Sequence, residues 1–304
     1  MYIGQSKPDL NFIITYSQPI QMHKKIIFSL LLFASAGKAD AQRDRLDQIT
    51  DSITAEAKTL YRSEWTSWYG TDVFVAKCPD KKPLSGGYFS YETPTNLVNI
   101  FFSKDTQPVV IASITFDKTF NANNYTLDTL PRKLTTTEQV YYDVRKAVST
   151  RIYHDTTFRS YKNTMLDIVP LITNNIKKAY VLTGTNETGV VIFGYDYLVN
   201  FDDNGQITSV RKQHKSMIPS YTKTDSGKTI VGGVHNHLPQ YSPFITATDI
   251  CTMMLYEKFT AWKTYYVMSK DYISIWDCNK NELVILTMDA WRKINADQKE
   301  RHPD

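Results

Sequence analysis

The feature that most restricts how this chain can fold is a change in the spacing of its apolar residues. From residue 43 to 68 they recur at helical intervals: Leu46, Ile49, Ile53, Ala57, Leu60 and Tyr61, with Trp65 and Trp68 extending the stripe. From Ser85 to Phe120 the spacing becomes that of strands, in Gly-Gly-Tyr-Phe-Ser-Tyr, Leu-Val-Asn-Ile-Phe-Phe and Val-Val-Ile-Ala-Ser-Ile-Thr-Phe, with breaks at Pro94 and Gln107-Pro108. Thr135-Thr-Thr-Glu138 then has the form of a capping box and opens a second helix through about Arg151. A helix, a meander of strands and a helix predict an α+β fold for this part of the chain. Its aromatic residues are read as core, and no chemistry is evident in it.

A second unit begins near residue 160. Thr164 to Lys178 is predicted helical, although Pro170 argues for a break in it. Strands follow at Ala179-Tyr-Val-Leu, Val190-Val-Ile-Phe, Tyr195 to Phe201 and Ile207 to His214, with a hairpin signal at Asp202-Asp-Asn-Gly205. Thr229-Ile-Val-Gly-Gly-Val runs as a strand into His235, and Thr246 to about Lys263 reads as a helix. Strands at Tyr265 to Met268, Tyr272 to Trp276 and Leu283 to Thr287 complete the unit, and the charged tail from Ala296 is expected to fray. The expected organisation is an upstream extension and leader over 1–41, an N-terminal α+β region over 42–158 and a C-terminal domain over 159–304.

Read from Met22, the N-terminus has the form of an export signal. Lys24 and Lys25 are a positive start, Ile26 to Ala34 an apolar run, and Ala39-Asp40-Ala41 a small-x-small cleavage site before Gln42. The apolar run is far shorter than the roughly 20 residues that span a bilayer, and no later run is long enough either. The expectation is an exported, periplasmic or extracellular protein with no stable membrane span once the leader is cleaved. The formal charge of +4 falls to about +2 when 1–41 is set aside, too weak a bias to argue for nucleic acid. Three cysteines, Cys78, Cys251 and Cys278, permit at most one internal disulfide. Cys251 and Cys278 can pair, but the sequence does not decide it.

Chemistry concentrates in one stretch. Four of the six histidines are set aside: His23 in the leader, His302 in the tail, and His154 and His214, which stand alone. The other two form His235-Asn-His237 at the end of a Gly-rich strand, where residues i and i+2 share a face and both imidazoles can reach one ion. Asp249 follows in the first turn of the next helix, after a loop with two prolines. Two imidazoles and a carboxylate suit zinc and leave a fourth position for water. Thr246-Ala-Thr-Asp249 also reads as a plain capping box. No phosphate-binding loop, His-Glu-x-x-His or serine nucleophile elbow is present.

His-x-His, a short loop and Thr246-x-x-Asp249 resemble the motif of the JAMM/MPN metalloprotease superfamily, and His-Asn-His is similar to its RadC-like branch. The resemblance covers roughly residues 160–290. It implies an α/β domain with a mixed sheet, Zn held by His235, His237 and Asp249, and a peptide or protein substrate. Thr246 stands where the family has Ser, and the resemblance gives it the hydrogen bond to the tetrahedral intermediate. An upstream Glu acts on the water in the family; the candidate is Glu187, 48 residues before His235. The function implied is an exported zinc peptidase or isopeptidase. Its alternative is an inactive MPN-like binding or assembly module of the cell envelope. A third reading is an exported α+β protein whose N-terminal part binds an envelope partner.

Overall fold

The computed structural model describes residues 22–301, with side chains from residue 41 onward. The expected leader therefore lies largely outside the described residues: 1–21 wholly, and 22–40 except for their helical backbone. The helix α1 covers Met22–Lys77. The chain separates into a unit Met1–Arg45 and a compact unit Leu46–Asp304. No described helix is long and apolar enough to cross a membrane.

In the larger unit the fold is α+β, as the change of period predicts. The first sheet is an antiparallel meander of β1 (Ser85–Glu92), β2 (Asn96–Ser103), β3 (Val109–Asp117) and β4 (Tyr125–Asp128), with β5 (Arg132–Lys133) also pairing with β3. Trp65, Val73 and Phe74 of α1 pack into a core with Leu97, Phe101, Ile114 and Phe116 of this sheet. One turn earlier, Ala57 and Leu60 of the same helix enter a different core, with Leu171, Phe193, Ile250, Tyr265 and Trp276 of the later chain. The apolar stripe of α1 thus supplies both cores, which explains why it continues unbroken through the tryptophans. The helix α2 (Thr136–His154) follows, capped by Thr135 and Glu138 as expected.

The stretch 164–178 is not helical, which corrects the sequence reading. It forms β6 (Thr164–Thr173) and the start of β7 (Ile176–Thr185), paired in register from Thr164↔Thr185 to Thr173↔Ile176. The two-residue turn is Asn174-Asn175, both at positive φ (51° and 64°). Asn tolerates that region, and such turns match the twist of a hairpin. Pro170 is accommodated because β6 is an edge strand of the sheet β10-β9-β7-β6. In that sheet β9 is Tyr197–Phe201 and β10 is Ile207–Lys212, joined at the expected Asp202–Gly205 turn. A two-stranded sheet pairs β8 (Val190–Phe193) with β11 (Ile218–Tyr221).

The last sheet is mixed and carries the motif. Its order is β12 (Gly232–Asn236), β13 (Thr264–Met268), β14 (Tyr272–Asp277), β15 (Glu282–Thr287). β12 and β13 run parallel and the others antiparallel. A parallel pair needs a crossover, here α3 (Ala247–Tyr256). This helix ends sooner than the sequence suggested, in a single 3-10 turn over Glu257–Phe259. The tail beyond β15 is a regular helix, α4 (Met288–Arg301), where fraying was expected. All three cysteines are buried and free.

Candidate metal centre

The centre lies where β12 ends and α3 begins. His235 and His237 flank the exposed Asn236, so the alternation of an extended chain turns both imidazoles to one side. The extension past β12 is held by the His237 N–H donating to Met268 O at 2.7 Å. Gly233 lets the strand lie flat on its neighbour: a Cβ there would sit 2.5 Å from the Tyr265 ring. That ring in turn packs 5.6 Å from His235.

The start of α3 fixes the carboxylate. The Thr246 hydroxyl accepts from Asp249 N (3.2 Å) and donates to Asp249 Oδ2 (2.7 Å). Thr246 N also donates to Oδ2, at 2.8 Å. The capping box is therefore real, yet it occupies only one of the two carboxylate oxygens. Oδ1 is buried and has no hydrogen-bond partner.

His214, set aside from the sequence as a lone histidine, completes the cluster. It lies in the segment between β10 and β11, where the chain passes from one sheet to the next. The four residues are 1–6% exposed, and one ligand atom from each lies within 4.8 Å of all the others. His214 Nε2 is 2.8 Å from His237 Nε2, which is 3.1 Å from His235 Nε2. Asp249 Oδ1 is 3.0 Å from His214 Nε2 and 3.5 Å from His235 Nε2. Among the described residues this is the one group of three or more such side chains able to hold a metal ion.

The protonation pattern supports that capacity. His237 Nδ1 lies 2.8 Å from Phe244 O; a carbonyl only accepts, so Nδ1 carries the proton and Nε2 presents a lone pair. Burial, the largest influence, drives His235 down to about 4 against the pull of Asp249, and it lowers His237 as well. Burial also disfavours the charged form of His214, but Asp249 and Asp196 outweigh it and raise its pKa. Burial opposes ionisation of Asp249 too; the three imidazoles overcome it and hold the carboxylate ionised. Three buried ring nitrogens facing one another cannot satisfy each other by hydrogen bonding alone. A zinc about 2.0–2.1 Å from each imidazole would space its ligands at ~3.3 Å, inside the observed spread. The donor set fits a metal ion.

A second buried acid stands behind His214. Asp196 is 4% exposed, and its Oδ1 accepts from Thr183 N at 3.0 Å. Burial pushes its pKa up to about 6, with Asp249 adding to the rise and His214 and Thr183 opposing it. Asp196 is placed by Gly194 and Tyr195, both at positive φ (87° and 54°). A Cβ on Gly194 would meet Ser216 O at 2.2 Å, so only glycine lets this turn support the His214 segment. A cleft of about 90 Å³, lined by Gln213, His214, Lys215, His237, Leu238 and Tyr241, reaches two of the four clustered side chains.

The remaining sequence candidates sit as follows. Thr246 is at the centre but its proton is engaged by Asp249. Glu187 is exposed on the turn between β7 and β8, accepts from Asn163 Nδ2 at 2.6 Å, and is not one of the clustered residues. His214 and Asp196 were not recognised because neither has a motif around it. They reach the site only through the pairing of β8 with β11 and of β9 with β10.

No protein-family model matches the chain, and no curated protein or solved structure does either.

Proposed function

We propose that the His214–His235–His237–Asp249 cluster is a zinc centre and that the chain is an exported hydrolase of peptide or isopeptide bonds, akin to the JAMM type. The observation that carries this is the convergence of three Nε2 atoms on the Asp249 carboxylate, whose buried Oδ1 the helix cap leaves without a hydrogen bond. Zinc in such a site supplies Lewis acidity and lowers the pKa of water to about 7. The chain's own residues do the rest. The Phe244 carbonyl fixes the tautomer of His237. Thr246 holds Oδ2 and so turns Oδ1 inward. The His214–His237 cleft admits water and the scissile group. Asp196 is the buried carboxyl that can exchange a proton beside His214; Glu187, the candidate that the family resemblance supplies, is exposed and lies outside the cluster.

The test is zinc content together with hydrolysis of a peptide library by wild type, His237→Ala, Asp196→Asn and Glu187→Gln. One zinc per chain and turnover lost in His237→Ala support the reading. A protein without metal, or turnover indifferent to His237, would overturn it. Four protein ligands and an exposed Glu187 favour a second reading, a metal-stabilised module without catalysis, since closed sites are typically structural. On that reading zinc is bound and no substrate turns over.

A further inference from the structure

Glu187 belongs to a different cavity, and that cavity has a recognisable chemistry. It is a cleft of about 450 Å³ between the β7–β8 turn and the end of α3. Three aromatic side chains form one wall. Trp68 lies 5.5 Å from Tyr256 at 69° and 5.9 Å from Phe259 at 8°, so two rings are nearly parallel and the third stands across them. The Phe259 ring is 59% exposed although it packs on its neighbours. The turn Thr185–Val190 and Thr222 also line the cleft.

No basic side chain lines the cleft, and one lining side chain is acidic, Glu187. Its position is built. Glu187 N donates to Thr185 Oγ1 at 3.0 Å, and Asn163 Nδ2 donates to Oε1 at 2.6 Å. Lys258, next to Phe259 in the sequence, places its Nζ over the Tyr69 ring, 5.9 Å from the centroid. Burial and the charge of Glu64 raise the Tyr256 phenol, which stays neutral. Aromatic rings and one carboxylate around a cavity of this size attract a cation that carries apolar groups, because ring quadrupole and carboxylate act in the same direction.

We propose that this cleft binds an organic ammonium group, such as a quaternary ammonium or the end of a lysine side chain. The inference stands apart from the metal centre. Zinc content measured on the same samples separates failure of one from failure of the other.

The experiment titrates the full chain with tetramethylammonium chloride, followed by tryptophan fluorescence and calorimetry. tert-Butanol serves as the neutral match in shape and N-acetylglucosamine as the polyhydroxylated alternative. Saturable binding of tetramethylammonium is expected, weakened about tenfold in Glu187→Gln and about tenfold in Phe259→Ala. Phe259 is mostly exposed, so its removal leaves the fold and the zinc content of the protein unchanged. Absence of saturable binding, equal binding of tert-butanol, a preference for the sugar, or a Glu187→Gln variant that binds as wild type would each overturn the proposal.

Discussion

The helices α2 and α3 both open on Thr-x-x-acid, and in both the threonine hydroxyl and the acid close a reciprocal capping box. At α2, Arg132 grips Glu138 with two hydrogen bonds (2.6 and 2.7 Å), Thr135 N adds a third at 2.8 Å, and the Tyr91 hydroxyl a fourth at 3.3 Å. Both carboxylate oxygens are spent on structure. At α3 no arginine arrives. Both bonds from Thr246 go to Oδ2, while His214 and His235 face Oδ1 and His237 lies 3.5 Å from Oδ2. The same four-residue signal gives a neutralised helix cap in one place and a charged, under-satisfied oxygen in the other. The surrounding chain decides which, by supplying an arginine or by supplying imidazoles.

The largest expected difference between the two caps is in metal-linked stability. Zinc at a thousandfold excess over its Kd stabilises a protein by about 4 kcal/mol, roughly 8–16 °C for a chain of this class. Thermal melts with and without chelator should show that shift in wild type and in Glu138→Ala, and none in Asp249→Ala. A shift that survives Asp249→Ala would erase the contrast.

The α2 cap should dominate intrinsic stability. Glu138→Ala leaves Arg132 and Thr135 N without their acceptor. Arg132 is 36% exposed and can turn to water, so the cost is about 2–3 kcal/mol in urea unfolding, below that of a fully buried pair. Burial disfavours the Glu138 carboxylate, but Arg132 and Thr135 outweigh it and lower its pKa. A depressed folded pKa contributes stability that is complete above the ordinary carboxyl value of about 4.3. That stability is lost as pH falls through the lower folded value. Wild type should therefore lose more stability than Glu138→Gln below about pH 4.

Gly194→Ala should follow, at roughly 1–3 kcal/mol. Its φ is 87° and the new Cβ would meet Ser216 O, so the segment bearing His214 must shift. Calorimetric zinc titration should show weaker binding in this variant. The smallest stability effects separate the two threonines. Thr135→Ala and Thr246→Ala should each cost about 1 kcal/mol. Only Thr246→Ala should also weaken zinc, by about 10–100-fold, because it releases Asp249 Oδ2. Equal zinc affinity in the two variants would show that the cap does not orient the carboxylate.

The sequence made the elements of the site legible wherever the signal was local. Period-2 alternation put His235 and His237 on one face, and Thr246-x-x-Asp249 announced a helix start. His214 and Asp196 were illegible because their roles come from strand pairing between distant segments, with no spacing that marks them. The hairpin at Asn174-Asn175 was missed for a different reason: an apolar run interrupted by proline satisfies a kinked helix as well as an edge strand, and only the positive φ of the two asparagines separates them. Glu187 was placed at the family's separation by counting along the chain, but the turn that carries it opens onto the aromatic cleft.

The most direct test of the metal centre is the zinc stoichiometry of the full chain at equilibrium, measured beside Asp249→Ala and His214→Ala. One tightly bound zinc per chain in wild type, lost in Asp249→Ala and greatly weakened in His214→Ala, is the result the geometry predicts. A wild-type chain that binds no zinc, or variants that bind it as tightly as wild type, would contradict it.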